Sequence, residues 1–227
     1  MKPVLVVIVL VITVYIVENS FEPEYVPIVF NPQEPVVNNK GQWYERTQIR
    51  QLVQNLVDSK NFNELELMIN EARENKLQFN TGTSVLYDLY NAIPNSMTSY
   101  KDIHAFIRDW RIYNPSTNIP DVLEARAHHA KAGELRGSGY ASLTSDEQFD
   151  GYEEYLSKAM RAVDAAEKKG PLDAELCRKQ LELAFVVKKD KTLAWSYFGR
   201  CFEIDPGYMH TYYSMRQYLQ RIWYGSD

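Results

Sequence analysis

Apolar residues recur every three or four positions along most of this chain, from Gly41 to the C-terminus. This is the spacing at which side chains share one face of an α-helix. The first such stripe consists of Ile49, Leu52, Val53, Leu56 and Val57. No segment combines sustained alternation of apolar and polar residues with the turn residues of a β-hairpin. The pattern therefore predicts an all-α fold.

About nine helices are expected from these stripes. Asn114, Gly170 and Asp205 each precede a proline, and a residue in that position is pushed out of the helical region, so helices end there. The predicted helices cover approximately 49–57, 62–72, 85–93, 103–110, 120–136, 146–168, 172–188, 191–204 and 207–222.

Two of the helices resemble the second helix of a tetratricopeptide repeat, in which residues of alternating size are followed by a proline. One helix has Ala194, Phe198, Cys201 and Pro206 at these positions. The other has the same spacing with larger residues, at Ile103, Ile107, Trp110 and Pro115. The helices that precede them match the repeat poorly. We therefore expect an irregular stack of antiparallel helical hairpins, a tetratricopeptide-like α-solenoid, in which stacking buries the apolar faces.

The N-terminal twenty residues indicate export. Residues 4–17 are apolar and uncharged, and Lys2 precedes them, as in a signal peptide. Because no small-residue cleavage site follows, an uncleaved signal-anchor is favoured, with a cleaved peptide as the alternative. A buried β-strand is a third interpretation, but it would need cover on both faces. Either form of export predicts the periplasm, or the periplasmic face of the inner membrane, of a bacterium.

A proline-rich segment follows the apolar run. Residues 21–40 contain four prolines, which prevent helix formation and favour an extended, semi-rigid chain. The sequence thus predicts three parts: a signal peptide or anchor at 1–20, an extended linker at 21–40, and a helical domain at 41–227.

The two cysteines of the chain, Cys177 and Cys201, lie equally far along the sequence from Lys189. If the turn between two antiparallel helices centres on Lys189, both cysteines stand at the same height and face the shared seam. An oxidising compartment then favours a disulfide. Two buried free thiols are the alternative, because a thiol packs well as a small apolar group.

The composition excludes some functions. The formal net charge is −5, whereas sequence-independent binding to nucleic acid needs a surplus of Lys and Arg. No nucleotide-binding or hydrolase motif occurs, so no catalytic residue or cofactor is named. Among the histidines, only His128 has a possible ligand partner at helical spacing, Glu124. One such pair is too little to predict a metal site.

Two glycine-containing motifs carry a family resemblance. Residues 136–141 read RGSGYA, and Pro206-Gly207-Tyr208 opens a helix that ends in Trp223-Tyr224-Gly225. With the Ala-rich helix before the first motif and the long helix after it, this pattern resembles a bacterial domain-of-unknown-function family, numbered 4034, over residues 50 to 227. The resemblance implies a helical, tetratricopeptide-like stack and assigns no activity.

Three functions fit this sequence. The first is an interaction module that binds a protein or peptide on a concave face rich in Tyr, of which the chain has 16. The second is an enzyme or small-ligand binder that uses the Arg136–Tyr140 segment; a deep pocket enclosing Arg136 with a carboxylate would favour it, and a flat or shallow concave surface would favour the first function. The third is a membrane-tethered assembly factor. The candidate binding residues are Arg136, Gly137, Gly139, Tyr140, Tyr208, Tyr212, Trp223 and Tyr224.

Overall fold

The computed structural model describes residues 36–37, 43–44, 46–79, 81–137 and 144–220. In these ranges the chain forms nine α-helices, one π-helical turn and one pair of two-residue strands. The prediction of an all-α fold with about nine helices is confirmed for this part of the chain. The predicted signal segment 1–20 and nearly all of the linker 21–40 lie outside it.

The strands form a short antiparallel ladder. Strand β1 (Val36–Val37) pairs with β2 (Trp43–Tyr44), so that Val36 lies opposite Tyr44 and Val37 opposite Trp43. The ladder connects the end of the predicted linker with the first residues of the predicted helical domain.

The helices follow the predicted order, with shifts at their ends. A π-helical turn, Ala184–Lys188, continues the seventh helix, where the sequence pattern predicted one uninterrupted helix over 172–188. The helices are α1 (Arg46–Asp58), α2 (Phe62–Glu74), α3 (Val85–Asn95), α4 (Tyr100–Tyr113), α5 (Ile119–Arg136), α6 (Asp146–Lys169), α7 (Ala174–Leu183), α8 (Lys191–Ile204) and α9 (Met209–Tyr218).

Local chemistry explains where the helices begin and end. Five of them start after a side chain that accepts a hydrogen bond from the backbone N–H three residues later, which satisfies one unpaired donor of the first turn. These caps are Asn61, Ser99, Ser145, Asp173 and Asp190. The three predicted stops before proline are also confirmed, because α4, α6 and α8 end one residue before Asn114, Gly170 and Asp205 respectively.

The odd-numbered helices form a row. Helix α1 packs on α3, α3 on α5, α5 on α7, and α7 on α9. The even-numbered helices cover this row, with the most extensive packing between α5 and α6 and between α7 and α8. Such a row of alternate helices is what stacked helical hairpins produce.

Side-chain pairs show that α5, α7 and α9 run in the same direction. Between α5 and α7, Arg126 pairs with Glu175 and His129 with Glu182, so both members advance together. Between α7 and α9, the pairs are Glu175 with Tyr208 and, further along, Phe185 with Tyr218. The C-terminal ends of the three helices therefore lie at the same end of the stack.

A disulfide joins α7 to α8. Cys177 and Cys201 are bonded, their Cα atoms lie 5.5 Å apart, and both residues are fully buried. The chain reverses at Lys189, which has a left-handed backbone conformation with φ 51°, as the symmetric spacing of the cysteines predicted. Of the two alternatives for these cysteines, the structure shows the disulfide.

None of the helices in the described ranges is long and apolar enough to span a membrane. The predicted anchor at residues 4–17 lies outside these ranges.

The disulfide is expected to stabilise the fold. It joins residues separated by 24 positions. Closing a loop of this size reduces the conformational entropy of the unfolded chain, which raises the free energy of unfolding by about 3 kcal/mol. Replacing both cysteines with alanine should lower the free energy of unfolding in urea by about that amount. Reduced wild-type protein is the control and should match the double variant. Two reactive thiols in the unreduced, unfolded protein would contradict the bond.

Candidate functional site

A pocket of about 370 Å³ lies at the C-terminal ends of α5, α7 and α9, a volume in the range of small-ligand sites. Its walls are mostly apolar, and four polar side chains also line it: Arg136, Glu153, Ser157 and Lys189. The remaining lining residues are Phe149, Tyr152, Leu156, Val186, Val187 and Tyr218.

The π-helical turn after α7 builds one wall of the pocket. A π-turn holds one more residue than an α-turn and is frequent at functional sites. Val186 and Val187 belong to this turn and line the pocket. The preceding Phe185 is buried and stacks on Tyr218 of α9, with ring centroids 4.7 Å apart. This stacking attaches the turn to α9.

Arg136 is the last residue of α5, and the next residue, Gly137, has φ +74°. A backbone in this conformation favours glycine, which explains the helix end at this point. Arg136 and Glu153 both line the pocket, but Glu153 is exposed. The pocket is therefore open to solvent and does not enclose Arg136 with a carboxylate.

The tyrosines named from the sequence occupy other places. Tyr208 is fully buried, and its hydroxyl donates a hydrogen bond of 2.6 Å to Glu175. The prediction that it lies on an exposed binding face is wrong, because this hydroxyl satisfies a buried carboxylate. Tyr212 is half-buried, and its hydroxyl donates to the carbonyl of Pro206. The other candidates, Gly139, Tyr140, Trp223 and Tyr224, lie outside the described residues.

The exposed aromatic residues near this end of the chain are different ones. Trp195 and Phe202 on α8 are 50% and 48% exposed, and Tyr213 on α9 is 55% exposed. Trp195 and Phe202 are seven positions apart, which places them on one face of the helix. The helical spacing already contains this information, but the binding residues predicted from the sequence on α9 were tyrosines, and none was predicted on α8.

Five charged side chains, which we name the central cluster, are buried between α5, α7 and α9. No member exposes more than 11% of its side chain. Every residue of α7 is buried, so the charged residues of this helix have no solvent-facing side. The members are Arg126, Glu175, Arg178, Lys179 and Glu182.

Glu175 connects three helices. Arg178 donates two hydrogen bonds to it, of 2.8 and 2.7 Å, and Arg126 from α5 donates a third. Tyr208, immediately before α9, donates a fourth. Both carboxylate oxygens are therefore occupied by donors from α5, α7 and the start of α9.

Glu182 is satisfied in a similar way. Ser214 on α9 donates a hydrogen bond of 2.7 Å, Lys179 donates one of 2.6 Å, and Arg178 donates to the same oxygen as Ser214. Although burial opposes ionisation, the two neighbouring cations hold the pKa of Glu182 well below its usual range.

The cluster contains three cations and two carboxylates. Burial, together with repulsion from Arg178 and Arg126, lowers the pKa of Lys179 to about 7, although Glu182 favours the charged form. Lys179 also lies 3.4 Å from Nδ1 of His129. The amine is therefore the group of this cluster whose charge changes near neutral pH.

The histidines on α4 and α5 form a second polar group. Nδ1 of His128 lies 2.6 Å from the hydroxyl of Tyr100, and burial lowers the pKa of His128 to about 4. Glu124, the partner suggested by sequence spacing, binds Arg111 instead. No group of three His, Cys, Asp or Glu side chains in the part of the chain that the structure describes is arranged to hold a metal ion.

The central cluster and the pocket share α5, α7 with its π-helical turn, and α9, whereas α6 contributes to the pocket alone. On α9, Ser214 reaches the cluster, and Tyr218, one turn later, lines the pocket. Likewise, Glu182 in α7 belongs to the cluster, and Val186, one turn later in the π-helical turn, lines the pocket. The Glu182 end of the cluster therefore lies about one helical turn from the pocket, and Arg126 lies at the opposite end of the cluster.

Comparison with family models, with curated proteins and with solved structures finds no match to this chain. The resemblance to the bacterial family numbered 4034 stays a prediction from its two glycine-containing motifs.

Removing one carboxylate from the cluster should be strongly destabilising. In Glu175→Gln, Arg126 and Arg178 lose a shared negative partner while remaining buried, and breaking a buried ion pair in this way costs about 3–5 kcal/mol. Urea unfolding followed by circular dichroism measures the loss. Glu154→Gln is the control, because Glu154 pairs with Lys158 on the surface. Equal effects of the two substitutions would contradict the structural role of Glu175.

The pKa of Lys179 predicts a specific pH dependence of stability. Between pH 7 and pH 9.5 the unfolded chain keeps the proton on this amine and the folded chain releases it, so the free energy of unfolding rises with pH. The slope contributed is at most about 1.4 kcal/mol per pH unit. Lys179→Met should lack this slope, and Lys131→Met, which removes a surface lysine of α5, should retain it. Parallel curves for wild type and Lys179→Met would contradict the pKa.

Proposed function

We propose that this chain is an exported recognition module, and that the pocket at the ends of α5, α7 and α9 binds an apolar group of a peptide, protein or small ligand. The observation that supports the proposal is the pocket of about 370 Å³ with walls formed by Phe149, Leu156, Val186 and Val187. Sites that bind small molecules and peptide side chains are concave and mostly apolar, with few polar groups.

The charged residues of the pocket would determine which ligands it selects. Arg136 and Lys189 lie at C-terminal ends of helical segments, where the partial negative charge of the backbone favours cations. Glu153 contributes the opposite charge from α6. The apolar group would therefore supply most of the binding energy, and charges of both signs at the pocket would select what flanks that group.

Binding is favoured over catalysis by the polar groups of the pocket. Nucleophilic catalysis needs a nucleophile that is hydrogen-bonded to a base. Ser157 is the aliphatic hydroxyl of the lining, and it has no hydrogen bond to any other side chain of the described residues. Recognition needs only the shape and charge already present, so the enzyme alternative has less support.

Export is part of the same proposal. The disulfide between Cys177 and Cys201 is typical of proteins that leave the reducing cytoplasm. The apolar residues 4–17 supply a segment suited to export, with either a signal-anchor or a cleaved peptide. We propose the periplasm, or the periplasmic face of the inner membrane, as the location, and a tetratricopeptide-like stack as the architecture.

Site-specific photo-crosslinking tests the pocket. A benzophenone amino acid at position 157 lies on the pocket wall, and the same amino acid at position 164 lies on an exposed part of α6 outside the lining. In producing cells, we expect a discrete crosslinked species from position 157 and not from position 164.

A second variant separates binding from crosslinking efficiency. Ser157→Trp should fill the pocket and prevent capture of the partner by the purified protein, whereas Asp164→Trp should not. The proposal fails if both positions crosslink alike, or if Ser157→Trp captures the partner as well as wild type does.

A further inference from the structure

The central cluster carries one positive charge more than its own carboxylates neutralise. Glu175 and Glu182 already accept hydrogen bonds at both oxygens. Two other buried carboxylates of the described residues are engaged elsewhere, because Asp88 pairs with Arg46 and Asp173 pairs with Arg73. An uncompensated charge is costly at this degree of burial, so the cluster is suited to receive one further negative charge.

Arg126 has a donor that is still unused. One terminal nitrogen donates to Glu175, and the other donates to the amide oxygen of Asn91 on α3. Its Nε atom is buried and has no hydrogen-bond partner among the described residues. A guanidinium group donates in fixed, planar directions that match an oxyanion, so Nε identifies a place where an acceptor is missing.

The cluster borders on solvent at its α3 side. The guanidinium carbons of Arg126 and Arg178 lie 5.6 and 5.5 Å from the ring centre of Tyr87, which is half-buried. Both cations thus gain from the same aromatic ring, which offsets part of their mutual repulsion. Asn91 is also half-buried, and its neutral amide is a weaker partner for Arg126 than an anion.

We propose that the central cluster is a binding site for one oxyanion, a carboxylate or a sulfate- or phosphate-type group, with Nε of Arg126 as a donor and the surplus cation as counter-charge. The site is separate from the apolar pocket and does not depend on the function proposed for it. Because the Glu182 end of the cluster lies about one helical turn from the pocket, an acidic group on a bound ligand is one source of the anion, and a free inorganic anion is the other.

Binding should be linked to proton uptake. The groups that face Lys179 are Glu182 and Arg178 on its own helix and His129 and Arg126 on α5. With its pKa lowered to about 7 by burial, the amine is largely neutral at pH 8.5. An added anion favours the charged amine, so the complex takes up a proton at this pH.

Isothermal titration calorimetry of the full chain with sulfate and with acetate tests the site, since both anions keep a constant charge between pH 6 and pH 8.5. We expect saturable one-to-one binding that is at least about tenfold weaker at pH 8.5 than at pH 6. Buffers of different ionisation enthalpy should reveal the proton uptake at pH 8.5. Stronger binding of acetate than of sulfate indicates a carboxylate-bearing ligand, and the reverse indicates an inorganic-type anion.

Lys179→Met provides the decisive variant. It leaves two guanidinium groups and two carboxylates in balance, and Glu182 keeps Arg178 and Ser214 as donors. Anion affinity at pH 6 should fall at least about tenfold, whereas Lys131→Met, on the surface of α5, should bind as wild type does.

Arg126→Lys is the second variant, because it keeps the charge and removes the Nε donor, and it should also weaken binding. The proposal is overturned if wild type shows no saturable binding, or if Lys179→Met and Arg126→Lys bind as tightly as Lys131→Met.

Discussion

Helix α7 has no side that faces solvent, and it nevertheless carries four charged residues of the central cluster. Each of these charges must find its partner inside the protein, because an unpaired buried charge is costly. Glu175 finds donors on α5, on α7 and at the start of α9. This one carboxylate thereby fixes the height at which three helices meet, and the second pairs, His129 with Glu182 and Phe185 with Tyr218, show that the helices run parallel.

The same register produces the pocket. When Glu175 and Glu182 fix α5, α7 and α9 side by side, the three C-terminal ends lie at one end of the stack. The π-helical turn then contributes Val186 and Val187, and the disulfide holds α8 against α7 from the other side. A change in the cluster should therefore also affect the pocket, because both depend on the same packing of helices.

The helices and their limits could be predicted from the sequence because their causes are local. A proline after Asn114 or Asp205 ends a helix wherever the rest of the chain lies. The disulfide was one of two alternatives, because symmetric spacing about a turn brings the cysteines together without indicating their oxidation state. The cluster was missed because its pairs join residues far apart in sequence, as Arg126 and Glu175 are. Tyr208 was misplaced for the same reason, since its partner Glu175 lies on another helix.

The surplus charge of the cluster is the feature that packing alone does not explain. Two guanidinium groups and two carboxylates suffice to fix the register, and apolar residues of similar size often replace buried ion pairs without loss of stability. Lys179 adds a cation whose partner, Glu182, already accepts from Arg178 and Ser214. Lys179 contacts His129 on α5 at 3.4 Å, but burial lowers the pKa of its amine to about 7, so its charged form costs stability at neutral pH. We propose that a bound anion offsets this cost. The repulsion that Lys179 meets from Arg126, together with the unused Nε donor of Arg126, makes an anionic group the consistent explanation for this lysine.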